Sequence, residues 1–242
     1  MIRSDLLAAL PGIRHVHTER SDGPAGGRGL PGTAAVRAAI AGDLGCGASA
    51  FVVPSQVHGN RVVAVTGRDA GVAVPAADGL VTTSVGVALL VLGADCPLVA
   101  VADAAAGVVG VAHSGWRGTA ARIAAECVAA AESLGARRDR LRAAVFPGIG
   151  PCCFEVGPDV VAAFRETFGR DADAWIRAGR GDRAHLDLRA AIAATLAACG
   201  VEESSVDVLP GCTACGGVYF SHRASGGAPG RHGLAITLAD RA

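Results

Sequence analysis

The apolar positions change rhythm along the chain. Between residues 50 and 112, short runs of β-branched and aliphatic residues alternate with turn formers. They predict strands at 50–53, 61–65, 79–82, 87–92, 98–102 and 108–112. The run 87–92 is apolar at every position, which suits a strand covered on both faces at the centre of its sheet. After residue 118 the spacing turns helical. Ile123, Cys127, Ala130 and Leu134 form one stripe over 119–134, with Gly135 placed to stop it. Pro158 opens a second helix with Val160, Val161, Phe164 and Phe168 inward and Gly169 behind them. Asp187 caps a third, whose stripe is Leu188, Ile192, Leu196 and Cys199 before Gly200. Strands return at 143–146, 205–209, 217–220 and 233–238. The first third is less patterned: a Gly/Pro-rich loop over 23–32, then a helix over 33–43 that ends near Gly45.

Strands and helices do not alternate regularly, so a doubly wound sheet is not expected. There is no internal repeat and no linker long enough to divide 242 residues, and a single domain over 1–242 is the expectation. Although 51% of the residues are hydrophobic, no apolar run approaches the ~20 residues needed to span a bilayer. The opening residues lack the apolar stretch of a signal peptide, so a cytoplasmic protein without a membrane partner is expected. The formal net charge is zero and no basic block exists, which argues against nucleic acid as a partner. All the basic side chains are Arg. The lack of Lys excludes Schiff-base chemistry and a phosphate-loop lysine.

Candidate chemistry gathers where apolar strands end. Gln56-Val57-His58-Gly59-Asn60 and Ala94-Asp95-Cys96-Pro97 each lie between two strands, and Ala112-His113-Ser114-Gly115-Trp116-Arg117-Gly118 lies between a strand and a helix. His58, Cys96 and His113 together make a two-imidazole, one-thiolate set. Three protein ligands with a fourth position left for water is the pattern of a catalytic zinc, which would make hydroxide available near neutral pH. Hydrogen-bonded turn residues are the plainer reading of the same spacing. A fourth segment, Phe146 to Gly157, is dense in Gly and Pro and suits either a close backbone approach to a ligand or a tight strand-to-helix connection. Arg223 and Arg231 could clamp an anion bidentately. Among the eight cysteines, Cys46, Cys127 and Cys199 read as core. Cys212-Thr213-Ala214-Cys215 has no second C-x-x-C to complete a metal site and reads as packing.

With these residues in view the chain resembles the YfiH family, once labelled multicopper polyphenol oxidase or laccase-domain proteins. The resemblance rests on Gln56-Val57-His58-Gly59, Asp78-Gly79-Leu80-Val81-Thr82, Ala94-Asp95-Cys96-Pro97, the segment Gly110 to Gly118, the segment Gly148 to Gly157, Cys212-Thr213 and Gly230-Arg231. It runs over roughly residues 50–240, and residues 1–48 match least well. It implies an α+β fold: a single-domain α/β/β/α-type sandwich of mixed sheets with outer helices, CNF/YfiH-like. It also implies zinc on His58, Cys96 and His113, with copper the less favoured ion. The implied activity is purine nucleoside phosphorylase on adenosine, inosine and methylthioadenosine, with adenosine deamination as a second reaction. The implied partners are a purine nucleoside and phosphate, acting on a monomer or small homo-oligomer. Within this reading Cys96, His113 and Arg117 are the catalytic candidates, Arg117 as anion partner; Gln56, Asp95, Arg223 and Arg231 are the substrate-binding ones. Two departures stand out. Arg20-Ser21-Asp22-Gly23 replaces the family's Arg-Gly-Gly-x-Ser stretch, and Phe220-Ser221-His222-Arg223-Ala224 replaces Phe-Ser-Tyr-Arg-Arg.

Three other functions compete. A metal-free hydrolase or amidase in peptidoglycan editing would use Cys96 as nucleophile and His113 as base. A copper-dependent polyphenol oxidase would need more imidazoles than seven histidines with one His-x-His, at His15 and His17, can supply. A non-enzymatic binding module would leave the polar strand ends without a purpose.

Overall fold

The structure, a computed structural model, describes residues 1–27, 30–227 and 230–240. Arg28 and Gly29 of the loop expected over 23–32, and the last two residues of the expected domain, lie outside the described residues. Strands run in chain order as β1 (Ile13–His17), β2 (Phe51–Pro54), β3 (Val62–Ala64), β4 (Ala73–Val74), β5 (Gly79–Thr82), β6 (Ala88–Gly93), β7 (Leu98–Asp103), β8 (Val108–His113), β9 (Arg142–Val145), β10 (Glu155–Val156), β11 (Ile176–Ala178), β12 (Ala184–Leu186), β13 (Val206–Val208) and β14 (His232–Leu238). The helices are α1 (Asp5–Ala8), α2 (Thr33–Leu44), α3 (Trp116–Ala120), α4 (Ile123–Ser133), α5 (Pro158–Phe168), α6 (Leu188–Ala198) and α7 (His222–Ser225).

Two mixed sheets form the body. One has the order β1-β14-β6-β2-β4, the other β13-β9-β7-β8-β5-β3; β10, β12 and β11 make a small third sheet. The strand period of two explains the layering. Leu89 and Val91 of β6 and Leu234 and Ile236 of β14 face Leu98 and Ala100 of β7 and Val109 and Val111 of β8 in the central core. The alternate residues Ala88, Leu90 and Ala235 turn outward onto Val36, Ile40 and Leu44 of α2. On the far side, Val99, Val101 and Ala143 meet Ile123, Cys127 and Val128 of α4 and Ile192 and Leu196 of α6. The result is helix, sheet, sheet, helix, as the resemblance implied. β6 sits at the middle of its sheet, where a run apolar on both faces belongs.

The helix stops fall where glycine was expected to place them: Gly45 follows α2 with φ of 68° and Gly169 follows α5 with φ of 60°. Asp187 caps α6 by accepting the Ala190 N–H at 3.1 Å. Two expectations are corrected. The single helix over 119–134 is instead α3 and α4, separated at Arg122, which takes a left-handed φ of 59°. Its guanidinium donates to the Thr167 carbonyl at 2.7 Å and lies over the Phe168 ring, so a contact distant in sequence holds the break. Residues 217–219 form bends and residue 220 is irregular, so this stretch is not a strand. Tyr219 is buried against His17 and His232 while Val218 faces out, an alternation that mimics a strand without a neighbour to pair with. β1 and the small sheet had no clear signal, being short or mixed in character.

The chain passes between the two large sheets at several points. β2, β4 and β6 belong to the first and β3, β5 and β7 to the second, so the segments 55–61, 75–78 and 94–97 are crossovers. All three carry residues of the candidate site.

Candidate metal centre

His58, Cys96 and His113 converge: one donor atom from each lies within 4.8 Å of the others. The two imidazole rings stand nearly perpendicular, 81° apart, with centroids 4.9 Å from one another. Residues separated by 38 and 17 positions meet because two come from sheet crossovers and His113 ends β8.

Asp78 organises the group. Its Oδ1 lies 2.9 Å from His113 Nδ1 and also accepts the His58 N–H at 2.9 Å; its Oδ2 accepts the N–H groups of Val57 and Gly59 at 3.0 and 2.9 Å. His58 has a φ of 63°, a conformation a β-carbon disfavours by roughly 1–2 kcal/mol. Three N–H bonds to one buried carboxylate hold the loop there. The bond to Nδ1 leaves His113 Nε2 toward the donor cluster, the orientation that ligating histidines owe to a carboxylate behind them. Asp78 was quoted in the family motif but not among the expected site residues, because nothing in the spacing marks an acid that acts through backbone amides.

Cys96 is fixed from its other side. Asp95 has a φ of 89°, and its carboxylate accepts the Thr213 hydroxyl at 2.6 Å and the Arg223 N–H at 2.7 Å. Gly115 leaves room for the sulfur: a β-carbon there would stand 2.8 Å from Cys96 Sγ and 3.2 Å from His58 Cδ2. Gly118 does the same for the His58 loop, since its β-carbon would meet the Gly59 carbonyl at 2.9 Å. Burial alone would push the Cys96 thiol up. Hydrogen bonds from His113 and His58 outweigh it and bring the group down to about 6. Burial likewise opposes charge on His113, yet Asp78 and Cys96 raise it to about 9. Two nitrogen donors and a sulfur that favours its thiolate are the donor set that suits zinc, with His113 giving up its extra proton on coordination.

A cleft of about 700 Å³ opens over these donors. Leu30, Pro54 and Leu92 form apolar wall, and Gln56, His222 and Arg231 supply polar groups. The structure brings the expected residues to different places. Gln56 lines the cleft, with its amide exchanging two 2.8 Å hydrogen bonds with the Leu92 backbone. Arg231 lines it and is exposed. Asp95 stands behind Cys96 with both oxygens engaged. Arg223 points away: its guanidinium donates to the Cys153 and Glu155 carbonyls and lines a separate cleft. Arg117 is exposed, lies over the Trp116 ring at 4.2 Å, and is not among the cleft residues. His222, one of the positions where the sequence departs from the pattern the resemblance implied, does line it. The dense segment 146–157 runs from β9 to α5 and includes β10, and its Cys152 and Cys153 meet Cys212 and Cys215. The C-x-x-C read as packing therefore has partners.

The chain is similar to known proteins over most of its length. Residues 33–239 match the family model described as multi-copper polyphenol oxidoreductase laccase. Adenosine deaminase RL5, from an unidentified prokaryote, is 37% identical over 203 residues, covering 81% of this chain and 78% of its own. A protein of Deinococcus radiodurans named purine nucleoside phosphorylase is 39% identical over 207 residues, covering 85% and 77%. The crystal structure of YlmD from Geobacillus stearothermophilus superposes with a TM-score of 0.87 at 31% identity, over 98% of this chain and 94% of that one. On sequence and fold alike, the chain belongs to the YfiH, or laccase-domain, family.

Proposed function

We propose that this chain is a zinc-dependent purine nucleoside phosphorylase with adenosine deamination as a second reaction. The observation that carries the reading is the convergence of His58, Cys96 and His113 on one point at the floor of a 700 Å³ cleft, with Asp78 orienting both histidines. The names of the relatives from Deinococcus radiodurans and of RL5 supply the reaction types. Zinc held there would supply a Lewis acid and a water of lowered pKa. The cleft volume suits a nucleoside, and Leu30, Pro54 and Leu92 offer a purine an apolar wall. Phosphorolysis also needs an anion beside the sugar. Arg231 is placed for that role, whereas Arg117 lies outside the cleft. His222 offers the sugar a hydrogen-bonding ring from the cleft lining.

Cys96, His113 and Asp78 in line also have the layout of a Cys-His-Asp hydrolase, and a thiol brought down to about 6 favours that reading. His58 weighs against it, because a metal-free hydrolase has no use for a second imidazole facing the same sulfur. Both readings meet one experiment: metal content and phosphate-dependent cleavage of adenosine and inosine, for the wild type and His113→Ala, with and without chelator. The proposal expects zinc and activity to vanish together in the variant and on chelation. Activity that survives complete chelation would point to the hydrolase instead.

A further inference from the structure

Away from the cleft, four thiols face one another. The donor atoms of Cys152, Cys153, Cys212 and Cys215 all lie within 4.8 Å of each other. Cys215 Sγ is 3.0 Å from Cys153 Sγ and 3.3 Å from Cys152 Sγ. They come from two segments that lie side by side. Gly148 pairs with Cys212 in a parallel bridge, and the Thr213 N–H donates to the Gly148 carbonyl at 3.1 Å. Backbone also turns toward the sulfurs: the Gly150 N–H donates to Cys212 Sγ at 3.1 Å.

We propose that these four cysteines bind a second, structural zinc ion, distinct from the His58, Cys96 and His113 group. A tetrahedral zinc with Zn–S bonds of about 2.3 Å requires sulfurs about 3.8 Å apart. The two closest spacings, 3.0 and 3.3 Å, are shorter than that and every pair lies within 4.8 Å, so small rotamer adjustments that move Cys215 Sγ outward close the site. A disulfide uses only two sulfurs and does not explain why four converge, nor why Cys215 stands equally near two partners. Four thiolates and no open position make a closed site, the mark of a structural rather than a catalytic zinc. The ion replaces the four thiol protons, which leave to solvent, and no electron is transferred.

The site has a purpose in the fold. Between Cys212 and Cys215 lies Thr213, whose hydroxyl holds Asp95 next to Cys96. Before Cys152 lies Ile149, whose N–H donates to the Asp95 carbonyl at 2.7 Å. A zinc that clamps the two cysteine segments together thus steadies the crossover that carries Cys96.

The test is zinc content of the purified full-length chain, isolated without chelator, for the wild type, Cys96→Ala and a Cys212→Ser/Cys215→Ser double variant. One zinc equivalent per chain should persist in Cys96→Ala and be lost in the double variant. Because the double variant could fail to fold, the wild type carries a second measurement: alkylation of native thiols followed by mapping of the modified peptides. Cys152, Cys153, Cys212 and Cys215 should be protected as a set and become reactive together once a chelator removes the ion. Cobalt(II) exchanged into Cys96→Ala should give intense thiolate-to-metal absorption. The proposal is overturned if Cys96→Ala binds no zinc while its four thiols alkylate freely, if the four are found as disulfides, or if iron occupies the site.

Discussion

Two pairs of histidines in this molecule have nearly the same spacing and opposite surroundings. His58 and His113 have ring centroids 4.9 Å apart; His17 and His232 have centroids 4.8 Å apart. The first pair has Cys96 between its nitrogens and Asp78 behind. The second is fully buried, with Phe146 stacked on His17 and Tyr219 edge-on to both rings. None of its four ring nitrogens has a hydrogen-bond partner among the described residues. Proximity of imidazoles alone therefore does not mark a candidate metal centre; a neighbouring anion that orients one nitrogen and a soft third donor do. The same contrast bears on the copper-oxidase reading. His15-Val16-His17 was the one His-x-His in the chain, and it lies in β1, within the wall of the sandwich, not beside the cleft.

The comparison can be broken in four ways. The largest effect is expected from Cys96→Ala, which removes the donor that only the first pair has. Nucleoside turnover should fall by about 10³-fold or more and one zinc should be lost; near-normal kcat/KM would end the assignment. The next effect belongs to the inner pair and to acid. His232 is held down to about 4 by burial, against an ordinary value near 6.5, so the native ring stays neutral while the unfolded chain takes up protons. The stability it contributes is present above pH 6.5 and is lost as the pH falls toward 4, about 3 kcal/mol in full. His17 is lowered in the same direction. Urea melts between pH 7 and 4.5 should therefore show a steep decline, and His232→Leu should flatten it; an unchanged slope in that variant would move the acid sensitivity elsewhere.

Asp78→Asn tests the orienting carboxylate. It keeps the shape but exchanges one acceptor oxygen for a donor facing N–H groups, and metal affinity should drop by about 10–100-fold in a competition titration. Equal affinity would mean that the loop holds His58 unaided. The smallest effect is expected for His17→Leu, which removes two unpartnered buried nitrogens. Thermal melts should move by no more than ~1 kcal/mol in either direction, and zinc content should not change. Loss of zinc in that variant would tie the two pairs together and undo the contrast.

Much of this was legible in the chain itself. A strand apolar on both faces announced the middle of a sheet, and glycines at 45 and 169 announced helix ends, because each follows from local sterics. His58, Cys96 and His113 could be singled out because all three stand at or just beyond the ends of apolar strands, next to Gly or Pro. What was not legible depended on contacts between distant segments. The break at Arg122 is set by Thr167 and Phe168, and the partners of Cys212 and Cys215 are a vicinal pair that no C-x-x-C search would find. Asp78 acts on three backbone amides of a loop, so its role appears only once that loop has closed around it.

The site-bearing segments are also the threads by which the chain changes sheets. Surface loops usually accept added residues at small free-energy expense. Here an insertion at 55–61, 75–78 or 94–97 would slacken the stitching between two leaves as well as displace a ligand or its anchor. Redesign of this scaffold for other substrates is therefore best confined to the cleft's rim, at positions such as Leu30, His222 and Arg231, leaving the seam intact.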